Sequence, residues 1–381
     1  MFILLYITLL LLLMYGVLIF YYFSAWKKIP EFTINSGVAK TGQTRVSVVI
    51  PARNEEENIG RCLASLSLQT YPAALTEIIV VNDHSTDRTA EVVKSFPANN
   101  VRLVNLEEFL TGGSINSYKK KAIEVAVGLS IGDLIVTTDA DCTCTPGWLG
   151  CLVAFHQQYS AAFIAAPVKI SAGKSLLSIF QTIDFITLQG ITAASVSKKF
   201  HSMCNGANLA YEKKAFYEVG GFRDIDNIAS GDDMLLMHKI ANRYPDRYFF
   251  LKNPAAIVTT LPASTWRSFF QQRIRWASKA DKFTDKRIFG VLLLVYFLNL
   301  LLLVFLLGGI WNIKWLLCFI LLLGFKTLVE YFFVSSVADF FSQRFLMVYF
   351  PVLQPLHLIY TVVAGWLGRF GTYEWKSRKV K

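Results

Sequence analysis

The sequence predicts an α/β domain set between membrane-spanning helices, and three observations carry that prediction. Apolar, β-favouring runs alternate with amphipathic helical ones from about residue 46 to residue 138, which argues for strands laid side by side with helical crossovers. Both ends of the chain hold long stretches almost free of charge. Between them, Asp133-Leu-Ile-Val-Thr-Thr reads as a buried strand that runs straight into Asp139-Ala-Asp141. An open α/β sheet presents ligands at the carboxyl ends of its strands, so these two carboxylates stand where a ligand would.

The membrane segments come first in the chain. Hydrophobic residues make up 54% of the sequence, with 30 Phe and 8 Trp, and the excess is segregated. Met1 to Phe23 carries no charged side chain. At about 1.5 Å per residue, roughly 22 residues span about 33 Å, enough to cross a bilayer core. The run lacks a basic start and is followed by Ala-Trp-Lys-Lys-Ile-Pro rather than small residues, so residues 1–25 are expected to be a retained anchor rather than a cleaved signal. Residues 288–368 form the C-terminal membrane region, with candidates at Phe289 to Ile310, Trp315 to Val337 and Phe345 to Leu367. The last contains Pro351, Pro355 and His357, so two or three true spans are expected.

Orientation follows from basic flanks. Lys27 and Lys28 follow the first helix, and Lys282, Lys286 and Arg287 precede the second, which places residues 45–287 on the cytoplasmic side of a multi-pass integral membrane protein. The tail, residues 369–381, is also basic, and the same bias predicts that one of the three late segments does not cross. The net charge of +11 suits anionic lipid and an anionic substrate alike. Nucleic acid is not an expected partner, because no basic stripe with interleaved aromatics and no zinc-finger spacing occurs. Six cysteines without paired C-x-x-C spacing are expected as reduced thiols.

Within residues 45–287 each element has its own signal. Val46 to Pro51, Glu77 to Asp83, Val101 to Asn105 and Asp133 to Thr138 read as strands. Glu56 to Leu68, Thr86 to Ser95 and Ser117 to Gly128 read as the helices between them. This first part is expected to be parallel and doubly wound. The strands end in Pro51-Ala-Arg53-Asn-Glu55, in Asn82-Asp83-His84-Ser85-Thr86-Asp87, and in Asp139-Ala-Asp141. Ser85 and Asp87 serve equally well as helix N-caps, which favours Asp83 over Asp87 as a ligand group. Two carboxylates one residue apart suit a hard divalent cation and, through it, phosphate. Chance alone supplies roughly one Asp-x-Asp in a chain of this length, so the surrounding residues must decide.

Those residues extend far downstream. Gly206-Ala-Asn-Leu-Ala-Tyr leads to the Gly220-Gly221 pair, which also reads as a plain helix stop. Ser230-Gly-Asp232-Asp233 opens a helical pattern, where acidic residues also favour the dipole. Gln272-Arg-Ile-Arg275-Trp276 follows aromatic residues that would suit a helix lying at a membrane surface.

Together these motifs resemble the family 2 glycosyltransferases of GT-A fold, over about Val46 to Trp276. The resemblance implies a Rossmann-like, mixed-sheet domain between the N-terminal and C-terminal transmembrane helices. It also implies a nucleotide-sugar donor, Mg²⁺ or Mn²⁺, and a lipid or glycan acceptor. By similarity Pro51, Arg53, Glu55 and Asp83 bind the nucleoside. Lys119 matches the family's lysine near the nucleotide, with Lys120 and Lys121 as alternative registers. Asp139 and Asp141 match the metal pair, Asp139 also approaching the ribose. Asp233 matches the catalytic base, and Asp232, Gln272, Arg275 and Trp276 belong to the acceptor and diphosphate side. The activity implied is inverting transfer, from a UDP-sugar, to a lipid-linked or membrane-proximal hydroxyl.

Two other functions fit part of the pattern. A processive polysaccharide synthase carries the same Q-x-x-R-W element, although three or four spans supply a polymer channel poorly. A transporter or scaffold with an inactive nucleotide-binding domain would use the intramembrane Lys326 and Glu330, which equally read as a structural ion pair. Ser175 to Gly190 reads as an interfacial helix or a core helix, and loops around residues 107–118 and 201–208 are expected to shape donor choice.

Overall fold

The computed structural model describes residues 1–34, 44–110, 117–200, 203–226, 228, 231–278, 286–370, 373–375 and 378–380, without the side chains from Phe370 onward. Lys282, Ser230 and parts of the two loops expected to shape donor choice lie outside the described residues. Internal packing divides the chain into two units. One comprises residues 30–169 and 202–261, and the other residues 1–29, 170–201 and 262–381.

In chain order, α1 (Phe2–Lys28) precedes β1 (Val46–Ala52), α2 (Ile59–Ser67), β2 (Thr76–Asn82), α3 (Thr89–Lys94), β3 (Val101–Asn105) and α4 (Tyr118–Leu129). Then come β4 (Leu134–Thr137), β5 (Thr143–Cys144), α5 (Trp148–Tyr159), β6 (Phe163–Ala165), β7 (Val168–Ile170) and α6 (Leu176–Ser197). β8 (Leu209–Glu212), α7 (Lys213–Glu218), α8 (Asp232–Arg243), β9 (Tyr248–Phe250) and β10 (Val258–Thr260) follow. The chain continues through α9 (Trp266–Ala277), α10 (Lys286–Gly308), α11 (Ile313–Phe340), α12 (Phe350–Phe370), β11 (Tyr373–Trp375) and β12 (Arg378–Val380).

The first unit is built on a seven-stranded sheet of order β3-β2-β1-β4-β8-β6-β9. Its first four members run parallel, as the strand and helix alternation predicts. β8 pairs antiparallel with both β4 and β6, which makes the sheet mixed. Val48, Val49 and Ile50 are fully buried on both faces of β1, each worth about 1.5–3 kcal/mol relative to exposure. Pro51 is tolerated in this central strand because β4 pairs only as far as Val49, two residues earlier. The helix expected over 86–95 is shortened to α3, because Asp87 Oδ1 accepts the Thr89 N–H at 3.0 Å and turns residues 86–88 into its approach.

Among the described residues, the second unit holds five helices long and apolar enough to cross a membrane: α1, α6, α10, α11 and α12. α6 joins the four candidate segments read from sequence, of which three or four are expected to span. It is packed against α11 so closely that a Cβ on Gly190 would lie 2.5 Å from Val337 Cγ2, which fits the core-helix reading of that segment. Lys326 and Glu330 form a 2.7 Å ion pair inside this unit. Gln354 accepts from Lys326 at 2.9 Å and donates to Glu330 at 2.7 Å, and the Tyr15 hydroxyl also donates to Glu330. Each charge therefore has a partner, so the pair ties α1, α11 and α12 together. All six cysteines are free.

Candidate active site

Parallel pairing brings the carboxyl ends of β1, β2 and β4 to one edge of the sheet. Because β8 runs the other way, its beginning lies at that edge, with Leu209 opposite Thr137. The Thr137 hydroxyl donates to the Gly206 carbonyl at 3.2 Å. Residues 51–55, 83, 139–141 and 206 thus converge although they lie far apart in sequence.

Lys119, on the first turn of α4, projects into this edge. Its ammonium is 2.8 Å from Asp139 Oδ1 and 3.4 Å from Asp232 Oδ2. The neighbouring carboxylates hold its proton more tightly than an ordinary lysine's, Asp139 first and Asp232 next, against the opposing effect of burial. The structure separates the three lysine registers. Lys120 is buried and donates to the carbonyls of Ile225 at 2.6 Å and Ile228 at 2.7 Å. Lys121 faces solvent beside Glu124.

Asp232 and Asp233 open α8, where exposed N–H groups favour negative charge. Gly231 precedes them at φ +79°, a left-handed conformation that aims the helix start at the site and that glycine adopts without strain. Asp233 Oδ2 accepts the Gly206 N–H at 3.1 Å, and Oδ1 accepts its neighbour Met234 N–H at 2.8 Å. A carboxylate has about four lone-pair positions, so each oxygen can still accept from a hydroxyl. A Cβ at Gly206 would lie 3.3 Å from Asp232 Oδ2 and 3.4 Å from Lys119 Nζ, so any side chain there would crowd both groups.

The other end of the edge is made by Asp83, Arg53 and Glu55. Asp83 is 3% exposed. Arg53 Nη1 donates to the Asp83 carbonyl at 2.9 Å and lies 3.9 Å from its Oδ1. His84, at φ 52°, turns its Nδ1 to 2.9 Å from the same carboxylate. The Glu55 N–H is held by Thr89 Oγ1 at 2.7 Å, and its carboxylate accepts from Asn58 at 2.8 Å. Asn54, also left-handed, takes the Thr86 N–H at 2.8 Å and straps the ends of β1 and β2 together.

Asp141, like Asp139, is half-buried. Burial, then the charges of Asp139 and Glu55, push its pKa up, while the Cys142 thiol and the Thr260 hydroxyl, donating at 3.4 Å and 3.2 Å, act in the opposite sense. Thr260 arrives through the pairing of β10 with β5. Among the described residues no three His, Cys, Asp or Glu side chains are grouped to hold an ion by themselves. A half-buried, mutually repelling carboxylate pair without a third protein ligand among the described residues fits Mg²⁺ or Mn²⁺, which bind through one or two carboxylates and complete their shell with phosphate and water.

Gln272, Arg275 and Trp276 belong to the second unit, on α9. Their i, i+3, i+4 spacing puts them on one face. A capping box at Thr265 and Ser268 starts the helix. Sequence reasoning missed the double role of Lys119, the closeness of Gly206, and Thr260. Only the glycine left a readable trace, in Gly206-Ala-Asn. A hydroxyl reaching Asp141 across 119 residues leaves none.

The chain is similar to known glycosyltransferases over most of its length. The family model for glycosyl transferase family 2 matches residues 47–220, and that for glycosyl transferase family group 2 matches residues 134–368, more than half of the chain. A probable glycosyltransferase of Bacillus subtilis, YdaM, is 32% identical over 239 residues, 61% of this chain and 54% of the relative. The glycosyltransferase AglE of Haloferax volcanii is 27% identical over 50% of this chain and 59% of its own length. The chain thus spans little more than half of either relative. Poly-β-1,6-N-acetyl-D-glucosamine synthase of Staphylococcus epidermidis is 25% identical over 81% of this chain and 73% of the relative. Among solved structures, the mannosyltransferase PcManGT of Pyrobaculum calidifontis, in complex with GDP-Man and Mn²⁺, superposes with a TM-score of 0.57 at 18% identity. That match covers 95% of this chain and 99% of the other, and establishes the shared GT-A fold.

Proposed function

This chain belongs to glycosyl transferase family 2, and on that premise we propose that it moves a sugar, with inversion, from a UDP-sugar to a hydroxyl of a lipid-linked or membrane-proximal acceptor. The observation that carries the reading is Asp233, held by the Gly206 N–H beside the Lys119, Asp139 and Asp232 cluster. In this scheme Asp233 takes the proton of the acceptor hydroxyl as its oxygen forms a bond to the anomeric carbon. The bond from that carbon to the diphosphate breaks, and its electron pair leaves with the nucleoside diphosphate. General-base assistance of this kind is worth about 10² to 10⁴ in rate.

Arg53, Asp83, Pro51 and Glu55 form the nucleoside end in this scheme. Asp139 and Lys119 lie between nucleoside and sugar, and Asp141 with Asp139 would hold Mg²⁺ or Mn²⁺. Bound there, the cation supplies charge neutralisation for the departing diphosphate. Arg275 offers a planar fork to phosphate oxygens, Trp276 a face for sugar or acceptor, and Gln272 an amide on the same helix face. We assign residues 45–287 to the cytoplasmic side, on the support of Lys27, Lys28, Lys286 and Arg287 flanking apolar helices.

A second reading, a processive polysaccharide synthase, has one observation in its favour: the match to a polymer synthase extends over 81% of the chain, well past the sheet unit. Isolated membranes offered a panel of radiolabelled sugar nucleotides, with and without Mn²⁺ or Mg²⁺, test both. Release of nucleoside diphosphate with one labelled lipid-soluble product supports the first reading. A ladder or high polymer replaces it with the second, and no transfer from any sugar nucleotide refutes both.

A further inference from the structure

The described residues of α9 include one that none of the motif positions covers. Arg273, between Gln272 and Arg275, is buried, and its Nη2 lies 2.6 Å from Asp184 Oδ2 on α6. Both side chains are 4% exposed. The Tyr360 hydroxyl of α12 donates to the other oxygen of the same carboxylate at 2.7 Å, and His357 Nε2 lies 3.9 Å from it. The guanidinium lies over the rings of Phe269, at 4.9 Å, and Trp276, at 4.3 Å. Among the described residues its Nε, Nη1 and Nη2 have no hydrogen-bond partner, and the ion pair and the two π faces are its contacts.

A charge pair buried this deeply is costly to desolvate, and apolar residues of the same volume would pack at least as stably. What the pair supplies is geometry. Arg273 is one turn before Trp276 and one turn after Phe269, so its flat group can seat the indole only if something fixes its plane. Asp184 does that from α6, and Phe185, the next residue, meets the Trp276 ring from the same helix at 6.4 Å. Trp276 therefore meets both a fixed guanidinium and a ring of α6. Tyr360 adds α12, and packs on Phe180 and Phe269 at 5.6 Å and 5.5 Å.

We infer that Asp184, acting through Arg273, is a positioning residue that sets the Trp276 ring for the acceptor, with Tyr360 holding the carboxylate in place. The inference rests on the reading of Trp276 as an acceptor contact. It is tested on the full-length protein in membranes, with the unfractionated membrane extract of the expressing cell, lipids and glycans together, as the acceptor probe.

Asp184→Asn keeps the shape and removes the charge. It is expected to raise the apparent KM for the extract about tenfold or more, while the donor KM and the donor-only hydrolysis rate stay within about twofold. Asp184→Glu is expected to recover part of the loss. The double variant Asp184→Leu with Arg273→Met separates positioning from stability. It is expected to melt no lower than the native protein yet to show the same acceptor defect. Native acceptor kinetics in Asp184→Asn and in the double variant would overturn the inference, as would an equal loss on the donor side. Trp276→Ala keeps the two failures apart. If it leaves the acceptor KM unchanged, the acceptor reading of Trp276 fails. If it raises that KM while Asp184→Asn does not, the reading stands and the positioning role falls.

Discussion

Lys119 Nζ stands 2.8 Å from Asp139 Oδ1 and 3.4 Å from Asp232 Oδ2, so a single cation joins the Asp-x-Asp motif to the acidic pair 91 residues further on, since 232 − 141 = 91. Three consecutive lysines thereby acquire three separate jobs. One neutralises the site, one holds the approach to α8, and one faces water.

The lysine series follows directly. Lys119→Met is expected to cut transfer by about 10² or more, since it leaves Asp139, Asp232 and Asp233 facing one another without their shared counter-charge. Lys120→Met is expected to lower stability instead, by about 1–3 kcal/mol, because the Ile225 and Ile228 carbonyls lose their charged donor. Lys121→Ala should stay within about 0.5 kcal/mol of the native protein and keep full activity. Denaturant midpoints and initial rates on one set of preparations check all three; equal behaviour of Lys119→Met and Lys121→Ala would contradict the assignment.

Asp233→Asn is expected to reduce transfer about 10² to 10⁴-fold while sugar-nucleotide affinity changes little, because the amide keeps the size but cannot take the proton. Steady-state rates paired with calorimetric donor titration decide it. Turnover at the native level would remove Asp233 from the chemistry.

Gly231→Ala is expected to destabilise the start of α8 by about 1–2 kcal/mol, because φ +79° brings a Cβ against the following carbonyl. Activity should fall with it, as Asp232 and Asp233 are the first two residues of that helix. Thermal melting beside activity assays checks both, and a variant as stable and active as the native protein would show that the turn does not aim the helix.

Chelation with EDTA is expected to abolish transfer and Mn²⁺ or Mg²⁺ to restore it, and Asp141→Asn should be inactive at any concentration of either ion. The donor set, two carboxylates with no third protein ligand grouped among the described residues, motivates both outcomes. Full activity in EDTA would exclude the assignment.

Asp87 supplies a pH-dependent test of the fold. Burial works to raise its pKa, but the Thr89 hydroxyl and the N–H groups of Glu56 and Thr89 outweigh it and hold the carboxyl below its ordinary value. A depressed folded-state pKa contributes stability above the unfolded pKa that is lost as pH falls through the folded one. Asp87→Ala should therefore cost about 1 kcal/mol near neutral pH, the usual net worth of such hydrogen bonds. The difference from the native protein should vanish below the carboxylate range. A pH-independent difference in denaturant midpoint would show that these bonds do not depend on the ionised carboxylate.

Much of the sheet unit was readable in advance because its signals are local. Val101 to Asn105 reads as a strand and is one, and the strand ending at Thr137 leads to Asp139 as the apolar run requires. α6 was harder, since an apolar segment such as Ser175 to Gly190 suits an interface or a core alike, and it takes the close approach of Gly190 to Val337 and the Asp184 ion pair to show a packed helix. The same holds for Lys326 and Glu330, whose spacing left transport open until Tyr15 and Gln354 were seen to complete the pair.

By itself the sequence determined the strand and helix alternation, the apolar helices, and the acidic, lysine and Q-x-x-R-W motifs that mark the family, because each is written in neighbouring residues and their periodicity. Tertiary structure alone decided which of three lysines meets the carboxylates, that β8 runs antiparallel and delivers Gly206, that Thr260 reaches Asp141, and that Asp184 is the partner of Arg273. Each of those depends on strand direction or on side chains brought together across about a hundred residues, and distances of that kind leave no period in a chain.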